Sequence, residues 1–213
     1  MSMREVMKDI LAQAAEKKIV PVVKLDRAAD AKPLADALIA GGLPVAEVTF
    51  RTDAAEESIR QMAKIPGMLV GAGTVTNLEQ AKRAIDAGAS FIVTPGFSQK
   101  VTEFAVDQKM PIFPGISTPT ELMMTLEYDL PVVKFFPAEQ YGGLATIKAL
   151  AAPFPGVQFM PTGGINAKNI LDYLAFSKII ACGGSWMVKD TYINEGNFDE
   201  IIRLTKEAVE LVK

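Results

Sequence analysis

A chain of 213 residues with 49% hydrophobic residues, 22% charged residues and a formal charge of −3 has the make-up of a globular protein, and on folding it can bury on the order of 70% of its unfolded surface. This balance excludes extended disorder and a fibrous class, and the slight acidity excludes a general affinity for nucleic acid, which needs a basic face. The absence of histidine excludes a His-dependent triad and leaves a poor donor set for catalytic zinc, so no metal site is expected.

The first residues, Met1 to Asp9, carry charges where a signal peptide would need its apolar segment. No later apolar run approaches the ~20 residues of a membrane span, and the single cysteine, Cys182, cannot close an internal disulfide. A cytoplasmic protein with no membrane contact is expected. Residues 3–18 place Val6, Ile10, Leu11 and Ala14 on one face, which predicts an amphipathic opening helix. Residues 19–25 then form a short, β-branched, nearly continuous apolar run, as a strand buried on both faces requires.

Seven further strands are predicted at 45–50, 69–75, 91–95, 111–116, 132–136, 158–162 and 178–182. Between them helical periodicity runs over 30–41, 53–64, 77–88, 98–109, 119–128, 143–151 and 167–175, and a last helix covers 198–212. Asn77, Ser98 and Thr118 stand where N-caps belong, the last followed by Pro119 and Glu121, and Gly41-Gly42 and Gly88 mark helix exits. Strict strand-helix alternation implies parallel strands joined by crossover helices, and eight such units imply closure into an α/β (β/α)8 (TIM) barrel with an additional N-terminal helix. An open doubly wound sheet is the competing architecture. No linker, charge run or low-complexity stretch divides residues 1–213, so one barrel domain is expected.

In such a barrel the chemistry collects at the C-terminal strand ends, and here those ends are polar and glycine-rich. The second strand ends Glu47-Val48-Thr49-Phe50-Arg51, the third Gly71-Ala72-Gly73-Thr74, the fourth Thr94-Pro95-Gly96 and the fifth Pro114-Gly115. The sixth carries Lys134 within Val132-Val133-Lys134-Phe135-Phe136-Pro137-Ala138, the seventh leads into Thr162-Gly163-Gly164, and the eighth into Gly183-Gly184-Ser185. Alternation along the second strand puts Glu47, Thr49 and Arg51 on one side.

Each signal has a plain structural reading beside the functional one. Glu47 and Arg51 alone are equally well a rim ion pair. Lys134 alone is a lysine laying its stem on apolar neighbours, or an amine whose pKa burial and a nearby cation lower until it can attack a ketone and form a Schiff base. Lys24 is its rival and ranks second, because Asp26 and Arg27 make its surroundings more charged. The two glycine turns are ordinary tight loops, or backbone N–H cradles for phosphate after strands seven and eight. Cys182 reads as a buried strand residue, and Met123-Met124 and Trp186-Met187 as packing or an oligomer surface.

Taken together, Glu47-Val48-Thr49-Phe50-Arg51-Thr52, Gly71-Ala72-Gly73-Thr74-Val75, Val93-Thr94-Pro95-Gly96, Lys134-Phe135-Phe136-Pro137-Ala138-Glu139, Pro161-Thr162-Gly163-Gly164 and Gly183-Gly184-Ser185-Trp186 closely resemble the 2-keto-3-deoxy-6-phosphogluconate (KDPG) aldolase family, which includes 4-hydroxy-2-oxoglutarate (KHG) aldolases. The resemblance implies a (β/α)8 barrel, a homotrimer, and class I aldol cleavage to pyruvate and glyceraldehyde 3-phosphate with no metal and no cofactor. It implies Lys134 as the Schiff-base residue and Glu47 as the general acid and base. It further implies Arg51 and Thr74 at the pyruvate carboxylate, Phe136 and Pro95 as walls of the pyruvyl pocket, and Thr162 at a substrate hydroxyl. Gly163, Gly164, Gly184 and Ser185 would receive the phosphate of a small phosphorylated 2-keto acid. Two other functions use the same residues: a phosphosugar isomerase or epimerase with Glu47 as base and Lys134 as an electrostatic partner, and a non-catalytic phosphometabolite sensor that needs only the glycine loops.

Overall fold

The apolar runs form a closed ring of parallel strands, and the amphipathic segments pack outside it in a computed structural model that describes residues 2–213. The opening helix α1 (Met3–Lys17) starts at a capping box in which Ser2 and Glu5 each satisfy the other's backbone N–H, and it ends at Lys18 with φ 60°. Its residues Ile10 and Ala14 meet Val20, Val45, Leu69, Phe91, Phe113 and Met160 around a small apolar void at the barrel's lower end. The additional helix therefore plugs the mouth opposite the strand C-termini.

Strands β1 (Ile19–Val23), β2 (Val45–Thr49), β3 (Leu69–Gly73), β4 (Ile92–Val93) and β5 (Ile112–Phe113) pair in that order, all parallel. A second ladder joins β6 (Gly115–Ile116), β7 (Val132–Phe135) and β8 (Gln158–Pro161). Bridges Phe159↔Ile179 and Thr162↔Gly183 lead on to β9 (Cys182–Gly184), which pairs back onto β1.

The single strand expected over 111–116 is divided at Pro114, which has no N–H to donate. Continuity survives through its carbonyl, which accepts from the Lys134 amide at 2.9 Å. β5 and β6 are thus one barrel strand with an interruption, and eight strand positions close the ring. The expected strand at 178–182 lies further along: Gly183 and Gly184, read from sequence as loop, are in β9 and pair with Val20 and Pro21. A Cβ on Gly183 would stand 2.2 Å from Thr162 Oγ1, and one on Gly184 2.0 Å from the Trp186 ring. These glycines are set by close approach within a strand rather than by a turn.

Outside the ring lie α2 (Ala31–Ala40), α3 (Ala55–Met62), α4 (Leu78–Asp86), α5 (Gln99–Asp107), α6 (Pro119–Leu126), α7 (Gly143–Ala151), α8 (Ile170–Leu174), α9 (Asp190–Asn194) and α10 (Phe198–Leu211). Asn77, Ser98 and Thr118 cap α4, α5 and α6 through side-chain oxygens. The five-residue α9 was not expected, because it is too short to show a period. A Cβ on Gly41 would meet Thr205 at 2.4 Å, so α10 lies directly on the exit of α2 and completes the outer layer. No helix among the described residues is long and apolar enough to cross a membrane.

Candidate active site

The pleat of β2 sends Glu47 and Thr49 inward at the upper end of the barrel, and β7 sends Lys134 to meet them. Lys134 Nζ donates to Glu47 Oε1 at 3.2 Å, with the two side chains 6% and 1% exposed. Two opposite charges buried this deeply hold each other in place, because removing either leaves the other unpaired. Glu47 Oε2 is buried with no hydrogen-bond partner, and so is Thr162 Oγ1 at the end of β8. Buried oxygens without partners are costly in a finished core, and these two belong to residues of the cavity wall.

Register explains why the carboxylate fits. Thr49 on β2 pairs with Gly73 on β3, and a Cβ on Gly73 would lie 2.3 Å from Glu47 Oε1. The next residue, Thr74, has φ 55°, a left-handed conformation costly for a β-branched residue and commonly retained only at functional sites. Arg51 does not pair with Glu47. Its Nε donates to Thr49 Oγ1 at 3.0 Å, and Thr49 Oγ1 donates onward to the Val23 carbonyl at 2.9 Å. The rim ion pair is therefore replaced by a Glu47–Lys134 pair inside and a braced guanidinium at the edge. Lys134 Nζ also lies 5.2 Å from the Phe136 ring centroid.

These groups face one cavity of about 330 Å³. Glu47, Lys134, Arg51, Thr74, Pro95 and Phe136 line it, together with Thr162, Gly163 and Gly164 after β8, Gly184 at the end of β9 and Ser185 beyond it. The residues that the resemblance implies for catalysis, substrate and phosphate thus line one cavity. Val22, to which sequence reasoning gave no role, lines the same cavity, as do Ile165 and Gly183, which it read only as parts of the two glycine turns. Two of these are apolar and one is a glycine, so none carries a chemical signal. The inward turn of β1 and the backbone approach at β9 expose them to it.

Lys24 belongs elsewhere. It pairs with Asp26 at 2.7 Å and Asp190 at 3.6 Å, and the hydrogen bond it donates to Asp26, opposed in part by desolvation, raises its pKa above the ordinary lysine value. Lys24 does not line the cavity, so it stands apart from the groups that meet there. Burial pushes the Cys182 thiol up to about 12, which leaves it inert. Among the described residues no group of three or more His, Cys, Asp or Glu side chains is arranged to hold a metal.

The family described as "KDPG and KHG aldolase" matches residues 10–204. The 2-dehydro-3-deoxy-phosphogluconate aldolase of Haemophilus influenzae is 48% identical over 205 residues, spanning 96% of this chain and 97% of that one. The 2-keto-3-deoxy-6-phosphogluconate aldolase of Zymomonas mobilis ZM4, solved with 3-phosphoglycerate, superimposes with a TM-score of 0.91 at 40% identity, covering 99% of this chain and 97% of that one. The KDPG aldolase of Legionella pneumophila, solved with pyruvate captured as a covalent carbinolamine intermediate, gives 0.89 at 37% identity, covering 93% and 97%.

Proposed function

The chain belongs to the KDPG and KHG aldolase family, and from that membership we propose how its own residues carry out the reaction. It is a 2-dehydro-3-deoxy-phosphogluconate aldolase that releases pyruvate and glyceraldehyde 3-phosphate. Activity on 4-hydroxy-2-oxoglutarate, which would give pyruvate and glyoxylate, extends the proposal. The isomerase and sensor readings are set aside by the family. The observation that carries the residue assignment is the buried contact between Lys134 Nζ and Glu47 Oε1.

Glu47 takes a proton from Lys134, freeing an amine that attacks the C2 ketone. The carbinolamine hydroxyl leaves as water with that proton, and a protonated imine remains on Nζ. Glu47 then removes the C4 hydroxyl proton. The C3–C4 bond breaks, its electrons flow into the imine to give an enamine, and glyceraldehyde 3-phosphate departs. Glu47 returns its proton to C3, and water hydrolyses the imine to release pyruvate and restore Lys134. One carboxylate serves each transfer, because the reacting positions lie successively around a fixed nitrogen. Arg51 and Thr74 hold the pyruvyl carboxylate, Phe136 and Pro95 wall its methyl side, and Thr162 Oγ1 meets a substrate hydroxyl. Gly163, Gly164, Gly184 and Ser185 take the phosphate. The Legionella carbinolamine and the Zymomonas phosphate ester support this reading.

Further parts of the proposal are a single domain over 1–213, a homotrimer and a cytoplasmic location. A buried apolar cluster running from Met3 to Val212 supports the first. Met123, Met124 and Leu126, 60%, 42% and 44% exposed on α6, support the second and give the association an apolar face. A free, buried Cys182 agrees with the third. Replacing Glu47 by Gln tests the acid-base assignment: kcat for pyruvate release should fall by about 10²–10⁴-fold while the fold is retained. A variant within twofold of the parent would remove Glu47 from the chemistry.

A further inference from the structure

Behind the cavity, and outside its lining, the buried Tyr173 of α8 donates its hydroxyl hydrogen bond to Glu139 Oε1. Three backbone segments converge on this pair. Directly before Glu139, the Ala138 amide donates to the Thr162 carbonyl at 2.8 Å, and the Glu139 amide donates to the Gly163 carbonyl at 3.1 Å. A Cβ on Gly164 would lie 2.5 Å from Glu139 Cγ. At the start of α7, a Cβ on Gly143 would lie 2.9 Å from Tyr173 Oη and 3.0 Å from Glu139 Oε1. The turn after β8, the segment after Lys134 and the start of α7 therefore share one clasp, and Gly164 and Gly143 approach it at distances that crowd out a Cβ.

From this convergence we propose that Glu139 and Tyr173 are positioning residues that fix the Gly163–Gly164 turn relative to Lys134, and so set how strongly the site selects a phosphorylated aldol partner over an unphosphorylated one. The proposal rests on the assignment of that turn to phosphate. Neither side chain touches the reacting carbons. Loss of the clasp loosens the turn, whose N–H groups then meet the phosphate less well, whereas Lys134 and Glu47 stay fixed by β7 and β2. Burial, reinforced by the hydrogen bond to Glu139, raises the Tyr173 pKa above the ordinary phenol value, so its hydroxyl remains a donor across the working pH range.

The test uses the full chain and compares Tyr173→Phe, Glu139→Ala and Glu139→Gln with the parent. For cleavage of 2-dehydro-3-deoxy-6-phosphogluconate, KM should rise about tenfold in Tyr173→Phe and Glu139→Ala, the loss expected of one charge-assisted hydrogen bond. For unphosphorylated 4-hydroxy-2-oxoglutarate, and for the rate of pyruvate trapping by borohydride, both variants should stay within twofold of the parent. Glu139→Gln keeps an acceptor for Tyr173 and should recover most of the phosphate selectivity. Binding of inorganic phosphate, measured by calorimetry, should weaken about tenfold in the same two variants, which reads the clasp without reference to turnover. Glu139 is exposed, so its variants remain informative even where Tyr173→Phe unfolds. Equal losses on both substrates, or unchanged phosphate binding in Glu139→Ala, would overturn the proposal. A parent chain whose phosphate binding depends on the clasp yet which cleaves neither substrate would instead overturn the aldolase assignment of the site.

Discussion

Glu47 is the side chain on which the most constraints meet. Its Oε1 accepts from Lys134 at 3.2 Å, its Oε2 is buried without a partner, and the space it occupies exists because residue 73 has no Cβ. Gly73→Ala would put a methyl group 2.3 Å from Oε1, and the carboxylate would move before the strand did. A displacement of about 1 Å at a catalytic group costs about 100-fold in rate. Gly73→Ala should therefore lose about 100-fold in kcat while its thermal unfolding stays close to that of the parent; full activity would show that Glu47 tolerates relocation. Glu47 and Lys134 were legible in the sequence because a carboxylate and an amine stand out at apolar strand ends. The part played by Gly73 was not, since it depends on the cross-strand register that pairs it with Thr49.

At the level of elements, the caps were readable and the strand edges were not. Thr118 and Glu121 form the expected capping box at α6. Burial tends to raise the Glu121 pKa, but the amides and hydroxyls of Ser117 and Thr118 outweigh it and hold the carboxyl below its ordinary 4.5. A folded pKa lowered in this way adds stability that is present above the unfolded value and is lost as pH falls through the folded one. Glu121→Ala should therefore cost about 1 kcal/mol at neutral pH, read from urea midpoints, and the gap to the parent should shrink as pH falls below 4.5. A gap independent of pH would mean that the charge contributes nothing. The displaced eighth strand and the divided fifth one have a common cause. Gly183, Gly184 and Pro114 carry turn-like signals locally, and their placement is decided by neighbours distant in sequence: β1, Thr162 and the Lys134 amide. The helix α9 falls below the length at which periodicity speaks.

For the molecule as a whole, the order of strands and helices followed from alternation and closure from the count of eight units, while the contacts that make the closure were not legible. What closes the ring is β9 returning to β1, with α1 plugging the lower mouth and α10 lying on α2. That architecture leaves one mouth open and gathers there residues from β1, β2, β7 and β9 and from the segments that follow β2, β3, β4, β7, β8 and β9. A lysine and a carboxylate 87 positions apart in sequence meet only because the ring is closed. The most direct test of the account is to incubate the protein with pyruvate, reduce with borohydride, and map the modified peptide by mass spectrometry. The account predicts a reduced pyruvyl adduct on Lys134, lost in Lys134→Met; an adduct on Lys24, or none on any lysine, would contradict it.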